Sequence, residues 1–315
     1  MTAPASLATR ALLWGLLGLS NALWGASWVV AKLALRELTP LQLAAWRMIL
    51  AGVVLLPVVA WYARRGSLPR RVWPLLALLG LAQAVLSKWF AYWGVQHSTA
   101  ANAGLLMATE PAFTILLAAL ALRERLTPAR LASLTLGAAG AYLIVFQKTG
   151  WPTLTGATVA GDAVFLLALV LEAAYSVGSK PLTRRYPPLA IVAASLVAAL
   201  PIWIPVAAWD IAETGWPALS PAGWAAVAYF AFGCTVFGYI VWVFALRHMD
   251  AGPVSLTVFL QPVVGTLLAV GVLGERLTAP TLAGAALVLL SLGVLLYAPA
   301  PRAPLIAPAD PRAAK

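Results

Sequence analysis

Charged residues are scarce in this chain, at 10% of 315 positions, whereas apolar residues make up 62%. A soluble domain of this length cannot bury so much apolar surface, but a lipid bilayer can cover it. Cys234 is the only cysteine, which excludes an internal disulfide. There are two histidines, His97 and His248, and no Cys/His cluster that would hold a metal ion. The sequence therefore predicts an integral membrane protein without a metal or a cofactor.

Apolar runs of about twenty residues, the length that spans a bilayer as a helix, follow one another along the chain. The predicted membrane helices 1 to 10 cover roughly 11–35, 40–62, 72–95, 99–122, 128–147, 159–181, 187–208, 221–246, 252–273 and 279–298. The connections are short, so no soluble domain is inserted. The tail at 299–315 is rich in Pro and Ala and is predicted to be disordered. The predicted fold class is all-α.

Lysine and arginine are distributed unequally between the two sides of this arrangement. With the N-terminus in the cytoplasm, fifteen of them fall on the inner side and four on the outer side, namely Lys32, Arg36, Lys148 and Arg276. Such a bias is typical of cytoplasmic loops. It also accounts for the net charge of +11, so no nucleic-acid partner is expected. We predict a bacterial inner-membrane protein with both termini in the cytoplasm.

An internal repeat relates the two halves of the chain. Residues 98–127 and 249–278 are two versions of one segment, 151 positions apart, and Glu110-Pro111 aligns with Gln261-Pro262. We therefore predict a first repeat over 1–148, with helices 1–5, and a second over 149–298, with helices 6–10. Because five is an odd number, the second repeat is inverted in the membrane. Inverted repeats are typical of secondary transporters that work by alternating access.

Four charged side chains fall well inside predicted helices: Arg47, Lys88, Glu110 and Glu172. A charge at the centre of a membrane helix costs at least ~2.5 kcal/mol, so these groups need partners or a water-filled cavity. Two cations and two anions suggest mutual pairing. Arg47 lies two turns into helix 2, and its long side chain favours a structural role with the guanidinium reaching outwards.

Proline marks the centre of two equivalent helices. Glu110-Pro111 lies near the middle of helix 4, and Gln261-Pro262 lies at the same place in helix 9. Pro removes a backbone donor, and interrupted helices at corresponding positions indicate a transporter's binding site. Glu110 and Gln261 are therefore predicted to bind substrate. The alternative is that both prolines only kink their helices for packing.

Polar and aromatic residues share one face in each of two equivalent helices. Asn21, Trp24 and Trp28 share a face of helix 1, and Glu172 and Tyr175 share the equivalent face of helix 6. We predict that both faces line the site. The alternative is that the rings pack in the core and that a structural partner holds Glu172.

Lys88 in helix 3 has Tyr92 one turn on and Tyr239 as its repeat equivalent. We predict that all three contact substrate, with the ammonium binding a carboxylate or keeping a glutamate ionised until substrate competes. A permanent ion pair is the alternative. Glu110 and Glu172 are the two candidates for carrying a coupling proton.

Several motifs resemble the EamA domain of the drug/metabolite transporter superfamily. They are the run from Trp24-Gly25-Ala26-Ser27 to Lys32, the run from Pro40 to Arg47, the repeated segments at 110–127 and 261–278, and Gly161-Asp162. The resemblance covers nearly the whole chain and implies ten helices around a central cavity lined by helices 1, 3, 4, 6, 8 and 9. Lys88 and Glu172 stand where many members carry uncharged residues, which favours a substrate that bears charge.

The favoured function is ATP-independent export of small polar or zwitterionic metabolites such as amino acids. Its expected partners are the small-molecule substrate and the lipid bilayer. The alternatives are efflux of hydrophobic or cationic drugs, a membrane-embedded enzyme, and a scaffold that transports nothing. The enzyme is disfavoured because no nucleophile–base pair and no phosphate-binding Gly-rich loop is evident. Both a monomer and a homodimer are compatible with the sequence.

Overall fold

The computed structural model describes residues 7–98, 102, 106–149, 156–273 and 278–297. In these ranges the chain is helical and contains no β-strand. Nine of the described helices are long and apolar enough to cross a membrane, and a tenth is shorter. The tail at 299–315, the Glu275–Leu277 part of the repeated motif and the side chain of Trp28 lie outside the described residues.

Ten helices correspond to the ten predicted spans. They are α1 Leu7–Ala34, α2 Pro40–Arg64, α3 Arg70–Gln96, α4 Glu110–Leu122, α5 Pro128–Thr149, α6 Gly156–Leu182, α7 Pro188–Thr214, α8 Pro221–His248, α9 251–273 and α10 Ala279–Tyr297. Proline stands in the first turn of several of them, where its missing N–H costs nothing. Thr39 and Gln42 form a reciprocal cap on α2, with bonds of 3.0 and 3.1 Å.

Proline interrupts both helices in which the sequence predicted it. Glu110 begins α4 directly after a turn at 108–109, so the predicted continuous helix over 99–122 is broken there. In α9, the 3₁₀ turn Thr257–Phe259 directly precedes Leu260. The cause is the same in both, because Pro111 and Pro262 offer no N–H to the carbonyl four residues earlier.

α5 and α10 show that the two repeats are inverted. The Ser133 and Ser291 hydroxyls lie 3.0 Å apart, and a methyl group on Gly140 would come within 2.5 Å of the Gly284 carbonyl oxygen. Ser133 thus lies beside Ser291 and Gly140 beside Gly284. Residue numbers rise along α5 where they fall along α10, so the two helices are antiparallel. Ser133 is the repeat equivalent of Gly284, and Gly140 that of Ser291. The predicted all-α fold of two inverted five-helix repeats is confirmed.

Large apolar side chains cover the outside of the bundle. Those that are more than half exposed include Leu12, Leu78, Leu120, Val159, Leu267, Val272, Leu282 and Leu289. In a membrane-spanning protein, such side chains contact lipid, so their exposure costs nothing. The interior is packed as several apolar clusters, the largest of which joins α2, α3 and α7.

Candidate functional site

Ser87, Lys88, Glu172 and Tyr239 form a polar group, here called the central cluster, between α3, α6 and α8. The Lys88 ammonium forms an ion pair with Glu172 and donates to the Tyr239 hydroxyl at 3.2 Å. Glu172 also accepts from the Ser87 hydroxyl at 2.7 Å and from Tyr239 at 3.3 Å. About one sixth of each charged side chain stays accessible, at 17% for Lys88 and 16% for Glu172. The cluster is therefore paired but not sealed.

Two π-helical segments position this cluster. The segment Leu81–Ser87 in α3 ends directly before Lys88. The segment Tyr229–Phe237 in α8 ends two residues before Tyr239. A π turn holds an extra residue and is frequent at functional sites. Because Lys88 and Tyr239 are repeat equivalents and touch each other, the cluster lies on the axis that relates the two repeats.

Tryptophan indoles bind a backbone carbonyl in each π segment. Trp203 Nε1 donates to the Ala84 carbonyl, and Trp24 Nε1 donates to the Cys234 carbonyl, both at 2.8 Å. A carbonyl buried without a donor would cost free energy, so each bond stabilises its widened turn. These contacts join segments that are far apart in the chain, so no sequence pattern predicts them. Trp203 was therefore not among the predicted site residues.

Aromatic rings surround the central cluster as the sequence predicted. The Trp24 ring lies 5.7 Å from that of Tyr239 and 5.6 Å from that of Trp242. Tyr175 packs edge-to-face on Tyr239 at 5.8 Å. Trp24, Tyr175 and Tyr239 are therefore brought together with Lys88, and binding of substrate by these rings stays a prediction.

Asn21 and Gln261 meet in a separate neutral pair between α1 and α9. Gln261 donates to the Asn21 side-chain oxygen at 3.1 Å, and Asn21 donates to the Thr257 hydroxyl at 2.9 Å. Gly25 permits this close approach, since a methyl group there would lie 2.6 Å from the Gln261 carbonyl. Both amides are buried and satisfied by protein. Their predicted contact with substrate remains a prediction.

Glu110 is close to the central cluster but is not part of it. It is near enough to interact electrostatically with Lys88 and Glu172. Within the described part of the chain, however, its carboxylate forms neither a hydrogen bond nor an ion pair. Tyr92, one turn after Lys88, is half-buried and packs against the apolar cluster of α2, α3 and α7. The structure thus leaves one of the two predicted glutamates free to accept a cationic group.

The Arg47 guanidinium packs on α8, and the outward reach and structural role that the sequence favoured for it stay predictions. Its guanidinium lies over the buried Phe230 ring of α8, 5.5 Å from the ring centre. The Nε atom is buried and has no hydrogen-bond partner. Packing against Phe230 turns this side chain towards α8.

A second ionic group, here called the peripheral cluster, consists of Glu124, Arg130, Lys180 and Asp250. Arg130 pairs with Asp250 and with Glu124 at 3.4 Å, and Lys180 pairs with Glu124 at 3.2 Å and with Asp250 at 3.3 Å. Glu124 also accepts from the Ala251 N–H at 2.8 Å, at the start of α9. The cluster ties the ends of α4 and α6 to the starts of α5 and α9. The sequence did not predict this cluster, because its members lie in connections that are far apart along the chain.

Among the described residues, no group of three or more His, Cys, Asp and Glu is placed to hold a metal ion. The central and peripheral clusters consist of ion pairs and hydrogen bonds.

Comparison with protein families finds one match that covers both halves. The EamA-like transporter family model matches residues 10–146 and 159–297. A solved crystal structure superposes with a TM-score of 0.72 at 22% identity, covering 89% of this chain and 94% of the other. At that identity it shows the fold alone.

Curated relatives carry transporter names. An uncharacterized transporter of Archaeoglobus fulgidus is 28% identical over 83% of this chain and 89% of its own. A probable amino-acid metabolite efflux pump of Salmonella typhimurium is 28% identical over 87% of this chain and 91% of its own. A probable terminal-alkyne amino-acid exporter of Streptantibioticus cattleyicolor is 28% identical over 68% of this chain and 70% of its own.

Proposed function

The chain belongs to the EamA-like transporter family, and we propose that it exports small polar or zwitterionic metabolites such as amino acids. The family is one of transporters, so the chain is a multi-pass membrane transporter of a small molecule and not a membrane-embedded enzyme. Two curated relatives are named for amino-acid or amino-acid metabolite export, which supports the proposed substrate class.

One observation carries the proposal, namely the charged central cluster on the repeat axis with the unpaired Glu110 beside it. A purely hydrophobic substrate gains nothing from charged groups whose burial is costly. A substrate with an ammonium group gains a charge-assisted contact with Glu110, and the surrounding rings of Trp24, Tyr175 and Tyr239 suit its apolar part. Asn21, Trp28, Tyr92 and Gln261 complete the proposed lining.

The transport cycle follows from the inverted repeats. We propose that they exchange an inward-open and an outward-open conformation around the central cluster without ATP. The excess of Lys and Arg in one set of loops supports a bacterial inner-membrane location with both termini in the cytoplasm. In that orientation the peripheral cluster closes the cytoplasmic side. We propose repeat boundaries near residue 148 and a monomer or homodimer as the working unit.

The test is uptake of a pool of labelled amino acids into proteoliposomes. Wild type is expected to give saturable flux, Glu110→Gln to lose it, and Glu213→Gln, which removes an exposed carboxylate at the end of α7, to retain it. Absence of flux for every amino acid in the wild type overturns the proposed substrate class.

Proton coupling is the finer part of this proposal. Glu110 is the better of the two candidates, because Glu172 is already held by Lys88 and Tyr239. We expect an imposed pH gradient to drive uptake in the wild type and not in Glu110→Gln. If Glu110→Gln and Glu172→Gln both transport with unaltered pH dependence, neither glutamate carries the proton.

Efflux of organic cations is the second candidate, since a carboxylate without an ion pair among the described residues, near a cluster that aromatic rings surround, also suits a cation without a carboxylate. Parallel uptake of tetraphenylphosphonium separates the two functions. Flux of this cation with none of any amino acid would favour the second.

A further inference from the structure

Arg47 is a half-buried cation that has no paired carboxylate among the described residues. No carboxylate forms an ion pair with its guanidinium within the described part of the chain, and Nε has no acceptor. Among the described residues, its guanidinium lies over the ring of Phe230. A face-on ring attracts a cation but accepts no hydrogen bond, so it replaces only part of the lost hydration.

The position of Arg47 relates it to the proposed transport site. Arg47 interacts electrostatically with both Lys88 and Tyr239 of the central cluster. It begins the third turn of α2, about 10 Å along the helix from Pro40, so it lies well inside the membrane rather than at its surface. The Phe230 ring under its guanidinium belongs to the π segment Tyr229–Phe237 of α8, the segment that positions Tyr239.

Because Lys88 is paired with Glu172, Arg47 is the cation of this region that has no ion pair among the described residues. The Lys88 charge is balanced by Glu172, which also accepts from Ser87 and Tyr239. A substrate carboxylate would have to displace Glu172 to reach Lys88. At Arg47 it displaces nothing, and the planar guanidinium offers two parallel donors that match a carboxylate.

We propose that Arg47 binds the anionic group of the transported substrate, a carboxylate in the case of an amino acid. Lys88 is then a positioning residue that holds Glu172 and Tyr239 in place. This inference rests on the proposed export function and adds to it a binding residue for the carboxylate. The substrate carboxylate then forms an ion pair with the guanidinium that lies over Phe230.

The experiment compares a carboxylate-bearing substrate with its decarboxylated counterpart. Uptake of leucine and its inhibition by 3-methylbutylamine, which has the same carbon skeleton without the carboxylate, are measured for wild type, Arg47→Gln and Arg47→Lys. Arg64→Gln is the matched control, because Arg64 is an exposed arginine at the end of the same helix.

We expect Arg47→Gln to raise the KM for leucine roughly 10- to 100-fold, as removal of a charged hydrogen-bond partner does, and to leave inhibition by the amine unchanged. Arg47→Lys keeps the charge but loses the two parallel donors, so its KM for leucine is expected to lie between those of wild type and Arg47→Gln. A merely structural role would weaken leucine and amine equally. Equal weakening, or no change in either, overturns the proposal.

Labelling of the wild type covers the case in which Arg47→Gln does not fold. Phenylglyoxal modifies accessible arginines, and peptide mapping reports the rate at Arg47. Leucine is expected to protect Arg47, and 3-methylbutylamine is not. Equal rates with and without leucine, or no reaction at Arg47 at all, contradict the role.

The outcomes separate this inference from the proposed function. If wild type carries no amino acid, the proposed substrate class fails. If it carries leucine and Arg47→Gln does so equally well, only the role of Arg47 fails.

Discussion

The central and peripheral clusters are both networks of cations and carboxylates, yet they relate differently to the internal repeat. In the central cluster, Lys88 and Tyr239 are equivalents of each other and touch. The equivalents of Glu124, Arg130, Lys180 and Asp250 are Glu275, Thr281, Val29 and Thr99. A single member of that set is charged. The centre is thus common to both repeats, whereas three of the four peripheral residues have uncharged equivalents.

Breaking the central cluster is expected to have the largest effect. Glu172→Gln leaves the Lys88 ammonium buried without its counter-ion, which we expect to cost about 3 kcal/mol of stability and to abolish transport. The double variant Lys88→Met with Glu172→Leu removes both charges, so most of the stability should return. Thermal unfolding in detergent and uptake into proteoliposomes measure the two quantities.

The double variant also decides what the cluster is for. Restored stability without flux would assign the pair to transport, and restored stability with wild-type flux would reduce it to a structural pair.

Arg130→Gln breaks the peripheral cluster. Glu124 and Asp250 lose their guanidinium, and we expect a loss of about 2 kcal/mol, with the KM for substrate unchanged because the centre is intact. Tryptophan fluorescence during heating measures stability. Arg184→Gln, an exposed arginine after α6, is the control. An Arg130 variant as stable as this control would contradict the role given to the network.

A weaker effect is expected on the opposite side of the membrane. Ser220 caps α8 by accepting from the Gly223 N–H at 3.1 Å, and its own N–H and hydroxyl donate to Glu37 at 2.8 and 2.7 Å. Ser220→Ala should cost about 1 kcal/mol through the lost cap. Ser67→Ala, which removes an exposed serine from the loop after α2, should cost none. Equal unfolding temperatures for the two variants would show that the cap contributes nothing.

The smallest effect concerns pH at the peripheral cluster. Burial raises the pKa of Asp250, but the Lys180 ammonium and the Arg130 guanidinium lower it by more, so that it lies below its ordinary value. The stability that results is present above an ordinary aspartate pKa of about 4 and is lost as pH falls through the lower folded value. Because Asp250 is partly exposed, we expect less than about 1 kcal/mol.

Asp250→Asn removes this titration, so its unfolding temperature should fall less than that of wild type as the pH is lowered below about 4. Parallel curves for the two proteins would show that Asp250 makes no pH-dependent contribution.

The sequence was sufficient for the membrane-spanning helices and for the inversion of the two repeats. Apolar length gives the helices, and the spacing of 151 is enough to pair Lys88 with Tyr239. It could not tell which glutamate Lys88 would bind. That choice of Glu172 over Glu110 depends on how α3, α4 and α6 pack against one another, which no local residue pattern specifies.

Two further features depend on packing between distant segments. The sequence favoured an outward-reaching Arg47 because a long side chain in an isolated helix takes the nearest route to water. The structure places its guanidinium over the ring of Phe230 in α8, a contact between distant segments that the sequence does not specify. The sequence did not predict the peripheral cluster either, because its members come from the termini of four different helices.

The π segments give α3 and α8 a tolerance that the other helices lack. A π turn contains one residue more than the α-helical turn it replaces. A codon deleted within Leu81–Ser87 would therefore convert the segment to α-helix and leave Lys88 facing the same way. The same deletion in the regular helix of α7 would rotate everything beyond it by about 100°. In α3 and α8, a residue can therefore be lost from the π segment without a change in the orientation of the helix beyond it.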